Sequence, residues 1–393
     1  MIEALIKVVV LVTLLPTAVM FLVLLERRMA AWIQDRRGPN RVGIPLTNVR
    51  LMGLGQPLAD GLKFIFKEEY TPAHVDRFLY ALAPISLLAA GLAVFAVIPF
   101  GSVWPAADDR MIDFIVAPNI DVGMVYVFAL SSIAVYGVIL GGWASNSKYS
   151  FLGALRSSAQ LIAYEIPLGL GILGVILLSQ SLRLDRIIDA QAATGVWNVF
   201  AQPIGFFVFL VAAWAEAARL PFDLPEAEQE LVGGYHTEYS GMRLIMFATA
   251  EFLHMVTAAF LIVILFLGGW HLWGLTGPLN EPIGWGKALL RVVVLLAKVF
   301  GMILVFMLVR WSWPRFRFDQ LMDLAWKVLL PLGMVNLVFV AVMVEFAPRA
   351  LHDHPLWVVV SMWGAALVTW LVAALVSPSA AANEPVSERP FVG

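Results

Sequence analysis

The sequence predicts an all-α, polytopic membrane protein with about nine transmembrane helices and an amphipathic helix lying along the cytoplasmic interface. Three observations lead there. Of 393 residues, 61% are hydrophobic and only 14% charged, more apolar surface than one soluble core can hide. The apolar residues gather into runs of roughly 20, the length of a helix that crosses a bilayer. The period-two alternation of a membrane barrel is missing. The chain contains no cysteine, which excludes thiolate-held iron–sulfur clusters, c-type haem and disulfides from it. The six histidines have no metal-ligand spacing.

Spans are expected at 3–25, 78–100, 124–143, 158–178, 200–218, 244–268, 285–309, 327–346 and 356–376. The first lacks a basic leader and runs into Glu26-Arg27-Arg28 instead of a small-residue cleavage site, so it reads as a retained helix. Residues 26–77 hold no span, but Leu54, Leu58, Leu62, Ile65 and Phe66 recur at helical spacing with Asp60, Lys63 and Lys67 opposite, the pattern of an interfacial helix. Basic residues sort strongly to one side: placing the N-terminus outside leaves only Lys7, Arg110, Arg183, Arg186 and Arg349 in outer segments. The expected organisation is one helical membrane domain over 1–376, with cytoplasmic loops 26–77 and 217–243. A Pro-, Ser- and Ala-bearing tail, 377–393, is expected to be disordered and cytoplasmic. No internal repeat is visible.

Ionisable residues within spans are costly, so each is a functional candidate. Counting from the inner ends of the fourth and sixth spans, Glu165 and Glu251 both lie seven residues in, roughly 10 Å below the surface at ~1.5 Å per residue. Glu216 closes the fifth span at the same side, and His254 shares a helix face with Glu251. Buried carboxylates that neighbour one another can exchange protons near neutral pH, which makes the three a candidate proton relay. The plainer alternative for each is a hydrogen-bonded helix tie. In the seventh span, Lys287, Arg291 and Lys298 share a face. Lys298 lies near mid-membrane and is expected to pair with a carboxylate or lose its proton, which adds it to the relay candidates. Lys287 and Arg291 are expected to snorkel to the outer interface.

Between the fifth and sixth spans runs an acidic loop. Pro221 and Pro225 bracket Phe222-Asp223-Leu224 and forbid a continuous helix. This piece is too apolar for a solvated loop, so it is expected to fold inward as a chamber wall. Glu226, Glu228 and Glu230 then face polar contents or a partner, with a solvated acidic face as the alternative. The basic counterpart is Gln34-Asp35-Arg36-Arg37-Gly38-Pro39-Asn40-Arg41, a tight turn that could present Arg donors to a quinone carbonyl or a docked subunit.

In order and spacing these motifs resemble the H-subunit family of bacterial proton-pumping NADH:quinone oxidoreductase, the membrane component called subunit 1 in mitochondrial respiratory complex I. The resemblance rests on Glu26-Arg27-Arg28, Gly38-Pro39-Asn40-Arg41-Val42-Gly43, Gln56-Pro57-Leu58-Ala59-Asp60, Ala163-Tyr164-Glu165, Pro221 to Glu228, Gly234 to Ser240, and Pro314-Arg315-Phe316-Arg317-Phe318-Asp319-Gln320. It implies a quinone chamber at the junction of membrane and peripheral arms, in the inner membrane of a bacterium. Arg27, Arg36, Asp60, Lys63, Phe222, Asp223 and Glu226 are the chamber candidates; Glu165, Glu216, Glu228, Glu230, Glu251 and Lys298 are the relay candidates. It also implies that quinone is a substrate, that no cofactor is bound by this chain, and that FMN and iron–sulfur clusters sit on partner subunits. The expected partners are those subunits, quinone and lipid, and no nucleic acid. The family usually reads Glu-Thr-Asn-Arg where this chain has Glu216-Ala217-Ala218-Arg219, so two hydrogen-bonding side chains are missing beside Glu216. Nine spans also exceed the eight commonly seen. The alternatives are the equivalent subunit of a membrane-bound hydrogenase or another dehydrogenase, and a stand-alone ion transporter.

Overall fold

A computed structural model describes residues 2–43, 50–103, 112–118, 120–223, 232–273, 275–276, 284–346 and 355–376. Its helices are α1 (Ile2–Ile33), α2 (Gln56–Phe66), α3 (Arg77–Ala93), α4 (Gly123–Ala144), α5 (Lys148–Ser179), α6 (Leu184–Thr194), α7 (Asn198–Ala201), α8 (Pro203–Glu216), α9 (Gly241–Phe266), α10 (Trp285–Ser312), α11 (Phe318–Phe346) and α12 (Pro355–Val376). The one extended pairing described, β1 (Ser102–Val103) with β2 (Ile112–Asp113), is a two-residue antiparallel ladder that touches α10. Among the described residues, seven helices are long and apolar enough to cross a membrane: α1, α3, α4, α5, α9, α10 and α11. The other two expected spans form shorter apolar helices, α8 and α12.

Several elements differ from expectation for local reasons. The first helix runs past Arg28 to Ile33, because no helix breaker stands between Arg28 and Gly38-Pro39. Within it Thr13 and Thr17 turn their hydroxyls back onto the carbonyls of Val9, Val10 and Thr13, leaving no bare polar group on an exposed apolar helix. α6 coincides with none of the expected spans. α8 has only 14 residues, about 21 Å of rise. A break at Gln202, followed by Pro203, separates it from the single turn of α7. α11 carries a π-helical turn at Leu324–Leu329, just before Pro331 removes an N–H donor from the helical ladder.

α9 is the axis of the bundle. From Met255 to Phe266 every residue is buried, and the helix packs against α1, α3, α6, α8 and α10. The most extensive pairs are α3–α4 and α5–α8, followed by α4–α5 and α5–α11. α4 and α5 meet closely at Gly142, where a side chain would collide with the Ala154 methyl. α2 meets the expectation of an interfacial helix: Leu58, Leu62, Ile65 and Phe66 are exposed on one face, while Asp60 turns to Arg27 of α1 at 2.9 Å. The described helices therefore have one basic end, with Arg27, Arg28, Arg219, Arg243 and Arg310, and an opposite end at the close of α5, α9 and α11.

Candidate functional site

At the basic end, α4, α5, α8 and α9 leave a cavity lined by Glu165, Glu216, Glu251 and His254, with Ser131, Ser157 and Tyr235. Equal depth on separate helices does bring the three carboxylates to one space. The cavity gives about 50 Å³ to the centres of water-sized molecules, room for about three or four waters. Ser132 donates its hydroxyl to Glu165. Ser131, whose hydroxyl donates to the Phe128 carbonyl at 3.0 Å, lines the cavity together with Glu216. Tyr235, from the segment after the acidic loop, donates to Glu251 at 2.6 Å. Ala217 and Ala218 also line the cavity, so methyls stand beside Glu216 where the resemblance leads one to expect Thr and Asn.

The cavity is wired to a second cluster that the sequence does not reveal. Arg219 lies 3.8 Å from Glu251 and 3.4 Å from Glu26, and its guanidinium stacks 3.9 Å above the Phe252 ring. Glu26, only 7% exposed, also binds Arg310. One arginine is thus shared by two carboxylates, and one carboxylate by two arginines. In the sequence Glu26 stands out only within a motif, and Arg219 and Arg310 only as basic residues of inner segments. Their shared signal, a charge at a span end, is one that orientation already explains.

The inward fold of the proline-bracketed piece is seen up to Asp223. Phe222 is 1% exposed and stacks on Phe316 at 5.4 Å; Gln160 donates to the Ala215 and Phe222 carbonyls at 2.8 and 2.7 Å. Phe316 N–H reaches the Pro221 carbonyl, and Arg315 pairs with Asp223 at 3.0 Å. The Pro-Arg-Phe-Arg motif therefore serves as the clasp of this loop. Glu226, Glu228 and Glu230 lie outside the described residues. Of the remaining chamber candidates, Arg27 and Asp60 pair, whereas Arg36, bonded to Gln34, and Lys63 are exposed.

For α10, neither a carboxylate partner for Lys298 nor a snorkelling Arg291 is seen among the described residues. Among the described residues no carboxylate pairs with Lys298: it donates to the carbonyls of Leu267, Gly269 and His271 at 2.7, 3.0 and 2.7 Å and sits 4.4 Å from the Trp197 ring. It caps the C-terminal end of α9, where a cation meets the negative end of the helix dipole, far from Glu251. Arg291 does not snorkel. It is 3% exposed and donates to the Thr276 carbonyl. Among the described residues no group of His, Asp and Glu could hold a metal ion.

A family model described as NADH dehydrogenase matches residues 6–341. The chain is 49% identical over 314 residues to the second of the NADH-quinone oxidoreductase H subunits of Rhizobium meliloti, covering 80% of this chain and 89% of that protein. It is 46% identical to the first of the NADH-quinone oxidoreductase H subunits of Geobacter metallireducens, covering 82% and 90%. The same identity holds for NADH-quinone oxidoreductase subunit 8 of Rhodothermus marinus, covering 81% and 91%.

Proposed function

The chain belongs to the NADH dehydrogenase family, and on that premise we propose that it is the quinone-chamber subunit of a proton-translocating NADH:quinone oxidoreductase, coupling quinone reduction to proton movement in the membrane. The observation that carries this reading is the cavity shared by Glu165, Glu216 and Glu251, joined through Arg219 to Glu26. A carboxylate that gains a proton loses its hold on a shared arginine. When Glu251 is protonated, Arg219 is left to Glu26; when Glu251 is ionised, the two compete. A charge change near the acidic loop can in this way alter the proton affinity of the next carboxylate, with the few cavity waters carrying protons among Glu165, Glu216 and Glu251. Glu226, Glu228 and Glu230 continue the path toward the quinone, and Phe222, Asp223, Arg27, Arg36, Asp60 and Lys63 border the chamber. Lys298 acts as a helix clamp outside the relay.

Quinone is the substrate of the complex, and FMN and iron–sulfur clusters reside on partner subunits of the peripheral arm, in keeping with a chain that has no cysteine. The protein sits as one helical domain in the inner membrane of a bacterium, N-terminus outside, with the 26–77 and 217–243 segments and the C-terminal tail in the cytoplasm. The relatives carry the names of subunits, which favours a complex over a stand-alone transporter. The test is gentle purification of the tagged chain. Co-purification of partner subunits with NADH:quinone activity sensitive to quinone-site inhibitors is expected; a chain that purifies alone and transports ions by itself overturns the reading.

A further inference from the structure

The outer ends of α6, α7, α8 and α11 hold four carboxamides, all buried: Gln191, Asn198, Gln202 and Asn336. Two are fully employed. Gln191 and Asn198 donate to the Ile264 and Leu265 carbonyls at 2.9 and 2.8 Å, and Gln191 accepts from the Asn198 N–H. The other two are not. Gln202 is 0% exposed with neither amide atom hydrogen-bonded, and Asn336 is 2% exposed with its Nδ2 unbonded. An unmet buried polar atom costs roughly 1–3 kcal/mol, so such atoms gathered around one point call for an occupant. Gln202 Oε1 and Asn336 Nδ2 do meet at one point. A methyl placed on Gly174 of α5 would lie 2.5 Å from Gln202 Oε1 and 2.9 Å from Asn336 Nδ2, and one on Gly205 of α8 would lie 3.1 and 2.9 Å from the same atoms. The glycines leave the amides their space. The same place is the N-terminus of α8, whose first intrahelical bond is Phe206 N–H to Gln202 O, leaving the Ile204 and Gly205 N–H groups uncapped.

We propose that the break between α7 and α8 is a buried water-binding site, formed by Gln202, Asn336 and the N-terminal turn of α8 and kept open by Gly174 and Gly205. The donor and acceptor set selects the ligand. Asn336 Nδ2, Gln202 Nε2 and the helix N–H groups are donors and repel a cation, while Gln202 Oε1 is an acceptor and repels an anion. Water both donates and accepts, so it alone answers both kinds of group. A water there lets a half-length helix end inside apolar surroundings, where an uncapped terminus would otherwise go unsatisfied.

The test uses the intact complex. A cryo-EM map that resolves waters is expected to contain a solvent peak within about 3.2 Å of Asn336 Nδ2 and the Gln202 amide; a direct Gln202–Asn336 hydrogen bond with no third atom overturns the proposal. Thermal unfolding supplies an independent sign. Around a bound water, Asn336→Leu strands the Gln202 amide, so the midpoint should fall by several degrees, with partial recovery in the Gln202→Met, Asn336→Leu double variant. If the site is dry, Asn336→Leu removes an unmet amide and the midpoint stays or rises, which equally overturns the proposal.

Discussion

The two ends of α9 hold buried charge in opposite ways. At the basic end Glu251 meets Tyr235 and Arg219, and through Arg219 meets Glu26, while Glu165 and Glu216 share its cavity. On the proposed reading these groups exchange partners when the charge of a neighbour changes. At the other end Lys298 is surrounded by three backbone carbonyls, and Arg291 donates to a fourth. A carbonyl cannot take up a proton or leave its helix, so charge held this way is fixed. Charge that is to respond sits among titratable groups, and charge that is to hold the fold sits among carbonyls.

The largest effect should come from Glu26, the one acceptor between two arginines. Glu26→Gln leaves Arg219 and Arg310 facing each other in a nearly dry site. Removing one member of such a buried pair costs about 3–5 kcal/mol, so less complex should assemble and its unfolding midpoint should drop sharply. Wild-type assembly and stability would mean that Arg219 and Arg310 find other acceptors. Next comes Glu251→Gln, which keeps the shape and the Tyr235 contact but removes the proton exchange. NADH:quinone turnover coupled to proton uptake is expected to fall about tenfold, some 1.4 kcal/mol in barrier, in complex that assembles normally. Unchanged pumping in reconstituted vesicles would remove Glu251 from the relay.

Much of the responsive end was legible in the sequence. A carboxylate inside an apolar run is conspicuous, and helical rise alone puts Glu165 and Glu251 at one depth. The amphipathic pattern of α2 and the two prolines around Phe222 were equally readable, because each is a local rule. The fixed end was not. For Lys298 the sequence offers only a carboxylate partner or a lost proton, because sequence displays side chains, whereas its partners are main-chain carbonyls exposed only where α9 stops and the chain turns at Gly268 and Gly269. Glu26, Arg219 and Arg310 escaped for a different reason. Each lies at a span end where a charge is cheap, and only the packing of α1 against α10 and the loop after α8 makes one site of them.

Lys298→Met tests that division directly. Loss of the cation at the end of α9 should cost about 1 kcal/mol of stability while turnover stays within about twofold of wild type. A collapse of pumping in stable complex would instead return Lys298 to the relay and break the contrast between the two ends.

The smallest effect concerns Asp189 on α6, beside the fixed end. Burial pushes its carboxyl up to about 6, with Asp185 adding to the rise, and Arg291, Arg183 and Arg186 only partly opposing it. A free aspartate titrates near ~3.9, so the folded state binds this proton more tightly than the unfolded chain does. The resulting stabilisation is complete below about pH 4 and is lost as pH climbs through about 6. Asp189→Asn stays neutral throughout. The variant's midpoint minus the wild type's should therefore be near zero at pH 4, grow through pH 6 and remain positive above it. A negative difference above pH 6 would mean that attraction to Arg291 outweighs burial. Arg291 would then be held by a titratable partner more than by the Thr276 carbonyl, and this end of the molecule would respond to pH much as the other does.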